Sequence, residues 1–275
     1  MSEPTQPTPR RRPPPRRVVV SRVEQLTPHL VRITFSGETL STFTWNGPAA
    51  YIKVILPEEG QTEPIPPSPD GPRPTMRTYT PRRFDPNTLE LDVDFVLHGH
   101  GPASKWAAQA APGQVVLIGG PGPHYEIDAS AERFVIAGDE SALPAIATIL
   151  EALPASANAT VLIEIADVNE RIPLISPANI DLQWLQRNDT KDKANVVLEA
   201  TLRALPALAE AQRVYVACEA KAVRRIRSYL LNDRNFAATN IVTRGYWQRG
   251  EVNHPDHDYG IDGEDGRPVP PQRRG

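Results

Sequence analysis

The chain has one cysteine, Cys218, and two methionines in 275 residues. A lone cysteine closes no intrachain disulfide and builds no cysteine-rich metal cluster, so the fold asks for no oxidising compartment and the expected location is cytoplasmic. No apolar run approaches the roughly 18 residues of a membrane span, and the first residues carry arginine and proline where an export signal would be apolar. Charge of one sign is lacking too: 30 Lys and Arg stand against 33 Asp and Glu, for a net charge of -3. That balance supplies no field to hold a nucleic-acid backbone, so neither nucleic acid nor membrane insertion is expected.

Proline, in contrast, is abundant, and its 30 copies cluster. Six lie between Met1 and Pro15, next to Arg10, Arg11, Arg12, Arg16 and Arg17. A stretch so poor in apolar side chains cannot offset its ordering entropy, and residues 1–16 read as a disordered basic tail. Nine more fall between Pro57 and Pro86, which forbids regular structure through most of that stretch. Residues 251–275 are polar and proline-bearing and read as a loose tail. His254 and His257 there sit near Asp256 and Asp258 without the framework of a zinc-like site, so no resident metal is expected.

Between the tails, 40% apolar content supports a sizeable core, and two sequence grammars follow one another. Over residues 17–125 short alternating segments (Arg17 to Val23, Val31 to Phe35, Tyr51 to Leu56, Thr88 to His98) and one helix, Pro102 to Ala111, predict an antiparallel barrel. Over residues 133–250 apolar strands alternate with helices. Strands are expected at Phe134 to Ala137, Thr160 to Ile165, Asn195 to Leu198, Val214 to Cys218 and Thr239 to Thr243, with a loop after Ile165. Helices are expected at Ser141 to Leu153, Leu202 to Ala211 and Lys221 to Leu231. That order predicts a parallel-sheet α/β domain after the barrel.

Four constellations carry possible chemistry. Arg77, Thr78, Tyr79 and Thr80 offer a guanidinium fork for a phosphate, a ring to lie against a flat heterocycle and hydroxyls for its polar edge; they also read as an exposed strand with a paired arginine. Asp94, Phe95, Val96, Leu97 and His98 run into Gly99, His100, Gly101 and Pro102, then Ser104, Lys105, Trp106 and Ala107. The two glycines permit close approach, and a helix start favours a pyrophosphate; alternatively Trp106 plugs the barrel and His98 is hydrogen-bonded structure. Gly138, Asp139, Glu140 and Ser141 form a strand-to-helix turn at the first crossover, where open sheets bind nucleotides, or else an acidic helix cap. Gly245, Tyr246 and Trp247 put adjacent aromatics at the sheet's carboxyl edge, to cover either the domain seam or a planar cofactor.

Taken in order and spacing over roughly residues 17–254, these motifs resemble the siderophore-interacting proteins, ferric-siderophore reductases of the ferredoxin-reductase-like superfamily. The resemblance implies a six-stranded FAD-binding barrel followed by a nucleotide-binding α/β domain. It implies that residues 77–80 contact the flavin, that residues 94–98 line it, that residues 104–107 sit at its pyrophosphate and that Tyr246 and Trp247 cover the isoalloxazine. Glu140 stands where broader relatives carry a second glycine, so NADH or NADPH at residues 138–141 is implied less firmly than FAD.

The reaction so implied is reduction of Fe(III)-siderophore to Fe(II), with electrons from NAD(P)H or a reduced ferredoxin passing through FAD and no catalytic acid or nucleophile required. Ferric catecholates are anionic, so Lys53 and Arg249 are the candidate substrate contacts. Arg224, Arg225 and Arg227, on an expected exposed helix, are the residues that could meet a 2′-phosphate or remain solvated. The alternatives are a flavoprotein serving a protein acceptor such as a ferredoxin, and a siderophore-binding module or iron chaperone without turnover. The chain is expected to act as a monomer.

Overall fold

A computed structural model describes residues 13–251, apart from 69, 188–193 and 207–210, together with the backbone of 257–258. The first unit is antiparallel: β1 (Arg16–Thr27), β2 (Leu30–Ser36), β3 (Ile52–Ile55), β4 (Met76–Tyr79), β5 (Pro81–Asp85), β6 (Glu90–Val96) and β7 (Val115–Gly119), in the order β4-β3-β7-β1-β2-β6-β5. The two edge strands, β4 and β5, are separated in the chain only by Thr80. Chain continuity therefore brings the sheet's edges together and curls it into a barrel, six-stranded when β4 and β5 are counted as one bent strand. Both edges arise inside the proline-rich stretch expected to be irregular. Pro81 is tolerated because it opens an edge strand, where no ladder donor is needed.

Period-two alternation builds the barrel core. Leu91, Val93 and Phe95 of β6 are fully buried with Ile33 and Phe35 of β2, Val54 of β3 and Ile118 of β7. The barrel begins one residue inside the expected tail. Arg16 is buried and donates to Thr42 Oγ1 (2.9 Å), Thr42 O (2.7 Å) and Gly120 O (2.7 Å), so it belongs to the fold. The remainder of the tail reading falls largely on residues 1–12, outside the described residues. After β6 comes α1 (Gly101–Ala107), shorter than the expected helix.

The second unit contains β8 (Arg133–Asp139), α2 (Leu143–Ala152), β9 (Asn158–Ile165), β10 (Asn179–Gln186), α3 (Val196–Ala204), β11 (Arg213–Glu219), α4 (Ala220–Ser228) and β12 (Ile241–Trp247). Five strands run parallel in the order β10-β9-β8-β11-β12, and the short β13 (His257–Asp258) pairs antiparallel with β12. The order reverses between β8 and β11, the switch point at which such sheets bind ligands.

Five parallel strands match the expected number, but one is misplaced. Asn195 to Leu198, expected as a strand, opens α3, and the missing strand is β10, inside the expected loop. Val196, Val197 and Leu198 have β-branched or bulky side chains, but the Glu164 carboxylate accepts from the Leu198 amide (2.9 Å) and caps a helix there. β10 escapes the pattern because, as an edge strand, it buries little of either face. The expected exposed arginine helix holds for Arg224 and is corrected for Arg227, which is 1% exposed on the side of α4 that buries Val223, Ile226 and Leu230, with Arg225 half-buried between them.

The two units share an apolar seam. Leu30 of the β1–β2 hairpin is buried in the cluster formed by α2 and the parallel sheet, with Leu26, Ala49 and Val96 packed against it. Polar ties flank it: Arg82 of β5 grips Glu151 of α2, the Ala49 amide donates to Thr148 Oγ1 (2.9 Å), and buried Glu170 accepts from Thr27 Oγ1 (2.5 Å) and pairs with His29 Nδ1 (2.6 Å).

Candidate functional site

β4 presents its residues to two faces. Arg77 and Tyr79 pair in register with Val54 and Ile52, so they share the barrel-interior face, while Thr78 pairs with Lys53 on the other. The Tyr79 ring meets the Phe95 ring at 4.2 Å, and Phe95 meets Trp106 of α1 at 5.8 Å, so a ladder of rings ties β4 to β6 and to the last turn of α1. Burial pushes the Tyr79 phenol well above its ordinary range. Thr80, at the bend between β4 and β5, is buried.

Arg77 is the informative residue. Its guanidinium is partly withdrawn from water, and that desolvation lowers its pKa. Among the described residues no carboxylate lies within ion-pair distance of it, and its hydrogen bond runs from Nη1 to Met76 O (2.9 Å). A desolvated cation with no internal counter-charge fits an external anion. The loop before α1 fits the same group. Gly99 and Gly101 have φ of 76° and 72°, a region that favours glycine, and a Cβ added at Gly99 would meet nothing within 4 Å, which leaves the main chain open to close approach. The residues present therefore suit the diphosphate and ring system of FAD.

Other expected contacts serve the protein itself. The Asp94 side chain, expected along the flavin, is turned outward and held by Arg32 through two bonds of 2.7 and 2.9 Å, because even-numbered residues of β6 face away from the barrel core. Phe95 fills that core, and Val96 packs at the seam. Leu97 packs against the barrel cluster. Ser104 accepts from the amides of His98 (3.0 Å) and Gly99 (3.2 Å), so its hydroxyl shapes the loop. His98 accepts from the His100 amide at Nδ1 (3.3 Å), and burial, followed by the neighbouring His100, lowers its pKa. Lys105 is exposed, Trp106 half-buried against Phe35, and Ala107 buried.

On the α/β side the Gly245, Tyr246 and Trp247 motif lies within β12 and not in a loop after it. Tyr246 pairs its hydroxyl with that of Tyr215 (3.1 Å) on the barrel-facing side of the sheet. The Trp247 indole N–H is committed to Asp139 Oδ2 (2.9 Å), and Asp139 also takes the Ser141 amide (3.0 Å) and hydroxyl. Residues 138–141 thus form the acidic cap, and Glu140 pairs with Arg187. Lys53 lies with its ammonium 5.3 Å from the Tyr51 ring centre and donates to Thr78 Oγ1, while Arg249 is exposed just beyond β12. The region that sequence reasoning overlooked is the buried set Glu164, Glu219 and Asn195, with the exposed Arg187 bonded to it. Its one sequence signal is an acidic residue near the carboxyl end of three apolar strands, β8, β9 and β11.

A curled antiparallel barrel packed on a five-stranded parallel sheet is the fold of the two-domain ferredoxin-reductase-like class. Within that class the chain belongs to the siderophore-interacting protein family. A family model described as "siderophore-interacting FAD-binding domain" matches residues 19–125, and one described as "siderophore-interacting protein" matches residues 131–250. The chain is similar to the ferric vibriobactin reductase ViuB of Vibrio cholerae, 32% identical over 89% of this chain and 93% of that protein. It is similar also to the NADPH-dependent ferric-chelate reductase of Escherichia coli, at 27% over 84% and 92%. A solved siderophore utilization protein from T. fusca superposes with a TM-score of 0.79 at 32% identity, covering 87% of this chain and 95% of that one.

Proposed function

We propose that this chain is an FAD-dependent ferric-siderophore reductase that takes electrons from NADH or NADPH and releases iron from its chelate as Fe(II). The observation that carries the reading is Arg77, a half-buried cation without a carboxylate among the described residues, beside Tyr79, in a family whose barrel is an FAD-binding domain. Bound FAD supplies the conversion of a hydride pair into single electrons. Arg77 would hold its diphosphate, the Gly99 to Gly101 loop would leave room for it, and Tyr79 would line its ring system. The barrel wall of Phe95 and Trp106 keeps water from that side. Lys53 and Arg249 attract the anionic ferric chelate, and Tyr51 and Thr78 fix the Lys53 ammonium in place. No proton transfer is demanded of any side chain. The relatives named for ferric vibriobactin and ferric chelates support the substrate class.

An absorption spectrum of the purified protein, with FAD added, is expected to show bound oxidised flavin. Anaerobic bleaching by NADH, NADPH or dithionite should be reversed by a ferric siderophore, with Fe(II) captured by a ferrous chelator. Reoxidation only by a reduced-flavin acceptor protein, or a chain that never binds FAD, defeats the reading.

A further inference from the structure

We infer that the carboxyl edge of the parallel sheet is closed to nucleotide phosphates by the chain's own carboxylates, so that a pyridine-nucleotide donor is held without a pyrophosphate anchor there. The donor half of this statement rests on the reductase reading. Open parallel sheets bind nucleotides where strand order reverses, with phosphates on helix N-terminal amides. Here the reversal lies between β8 and β11, which end at Asp139 and Glu219, and Glu164 of β9 pairs in register with Asp139.

Each carboxylate already occupies a helix start. Asp139 accepts from the Ser141 amide (3.0 Å) at the entrance to α2, Glu164 from the Leu198 amide (2.9 Å) of α3, and Glu219 from the Ala222 amide (3.0 Å) of α4. The three are 1%, 0% and 3% exposed, so they are part of the interior and not a rim that a ligand could push aside. Neighbouring donors are committed to the same groups. Asn195 Nδ2 reaches Asp139 (3.2 Å) and Glu164 (3.4 Å), Trp247 Nε1 reaches Asp139, and Arg187 bridges Glu140 and Glu164.

Gly138 offers no opening either. A Cβ there would meet Ala217 O at 2.6 Å, Ala142 Cβ at 2.8 Å and Ile146 Cδ1 at 2.9 Å, so this glycine lets the helix pack on the sheet and does not admit a ligand's phosphate. Two of the three arginines that a 2′-phosphate could seek are withdrawn: Arg225 donates to Glu199 Oε2 (2.6 Å), and Arg227 is buried in α4, while Arg224 lies exposed on that helix. The local field is negative. Burial, with Asp139 next, holds the Glu140 carboxyl above its ordinary range, and burial with Asp139, Glu164 and Glu219 raises the Cys218 thiol. An entering diphosphate would have to displace carboxylates from the amides they cap and then face their charge.

The test uses flavin-loaded protein, so that an adenine nucleotide cannot enter the FAD site. ADP-ribose and 2′-phospho-AMP, titrated by calorimetry, are expected to show no saturation below about 1 mM. Reduced nicotinamide mononucleotide should bleach the flavin at a second-order rate within about threefold of NADH and NADPH, because the adenylate half and the pyrophosphate it completes add no binding energy. Saturable binding of ADP-ribose well below that concentration, or an advantage of about tenfold or more for NADH or NADPH over the mononucleotide, overturns the inference. If no pyridine nucleotide bleaches the flavin while dithionite-reduced protein still reduces a ferric siderophore, the donor half of the inference falls, and the ADP-ribose titration alone decides whether the edge is closed to phosphates. If the dithionite-reduced protein fails with the ferric siderophore, the reductase reading falls, and the ADP-ribose titration still decides the inference.

Discussion

At the scale of single residues, Arg77 is the proposed anchor for the cofactor, since it is desolvated and has no counter-charge among the described residues. Arg77→Ala should leave the fold intact and weaken FAD binding about 10- to 100-fold, the equivalent of roughly 1.5–3 kcal/mol for a hydrogen-bonded charge pair. Arg77→Lys should restore only part of it, because an ammonium lacks the planar fork. Fluorescence titration of FAD reads both. The residue types at 77–80 were legible in sequence because chemistry follows from side-chain identity. Orientation was not. Nothing in Asp94 itself announces that its carboxylate faces Arg32, or in Trp247 that its N–H points to Asp139, since both partners arrive from elsewhere in the chain.

At the scale of elements, the turn from β8 into α2 depends on Gly138 lacking a side chain. Gly138→Ala should cost about 1–3 kcal/mol by overpacking, lowering the melting temperature by roughly 2–4 °C per kcal/mol in a chain of this size. Calorimetric unfolding checks it, and an unchanged melting temperature would mean that the helix shifts freely on the sheet. Most strands were readable where one face is buried, as in β6, whose Leu91, Val93 and Phe95 alternate with polar neighbours. The α3 segment was not, because Val196 and Val197 suit a strand locally and a carboxylate from β9 overrides that preference. Nor was β10, whose half-exposed edge position leaves too weak a pattern.

At the scale of the whole molecule, the seam couples the barrel to the α/β unit. Glu170→Ala removes the acceptor of the buried Thr27 hydroxyl and the partner of His29, and should destabilise the protein by about 1–3 kcal/mol. A lower urea midpoint with little change in slope is the expected signature; a lower slope would indicate that the two units have begun to unfold separately. The sequence alone determined the succession of a barrel and a parallel sheet, because alternation at period two and apolar strands between helices are local patterns. The residue types proposed for the flavin at residues 77–80 were legible for the same reason. Which side chains meet was decided only in three dimensions. Asp139, Glu164 and Glu219 lie 25 and 55 residues apart along the chain, and parallel pairing of β9, β8 and β11 sets them side by side, where burial turns three ordinary acids into caps that close the sheet's edge.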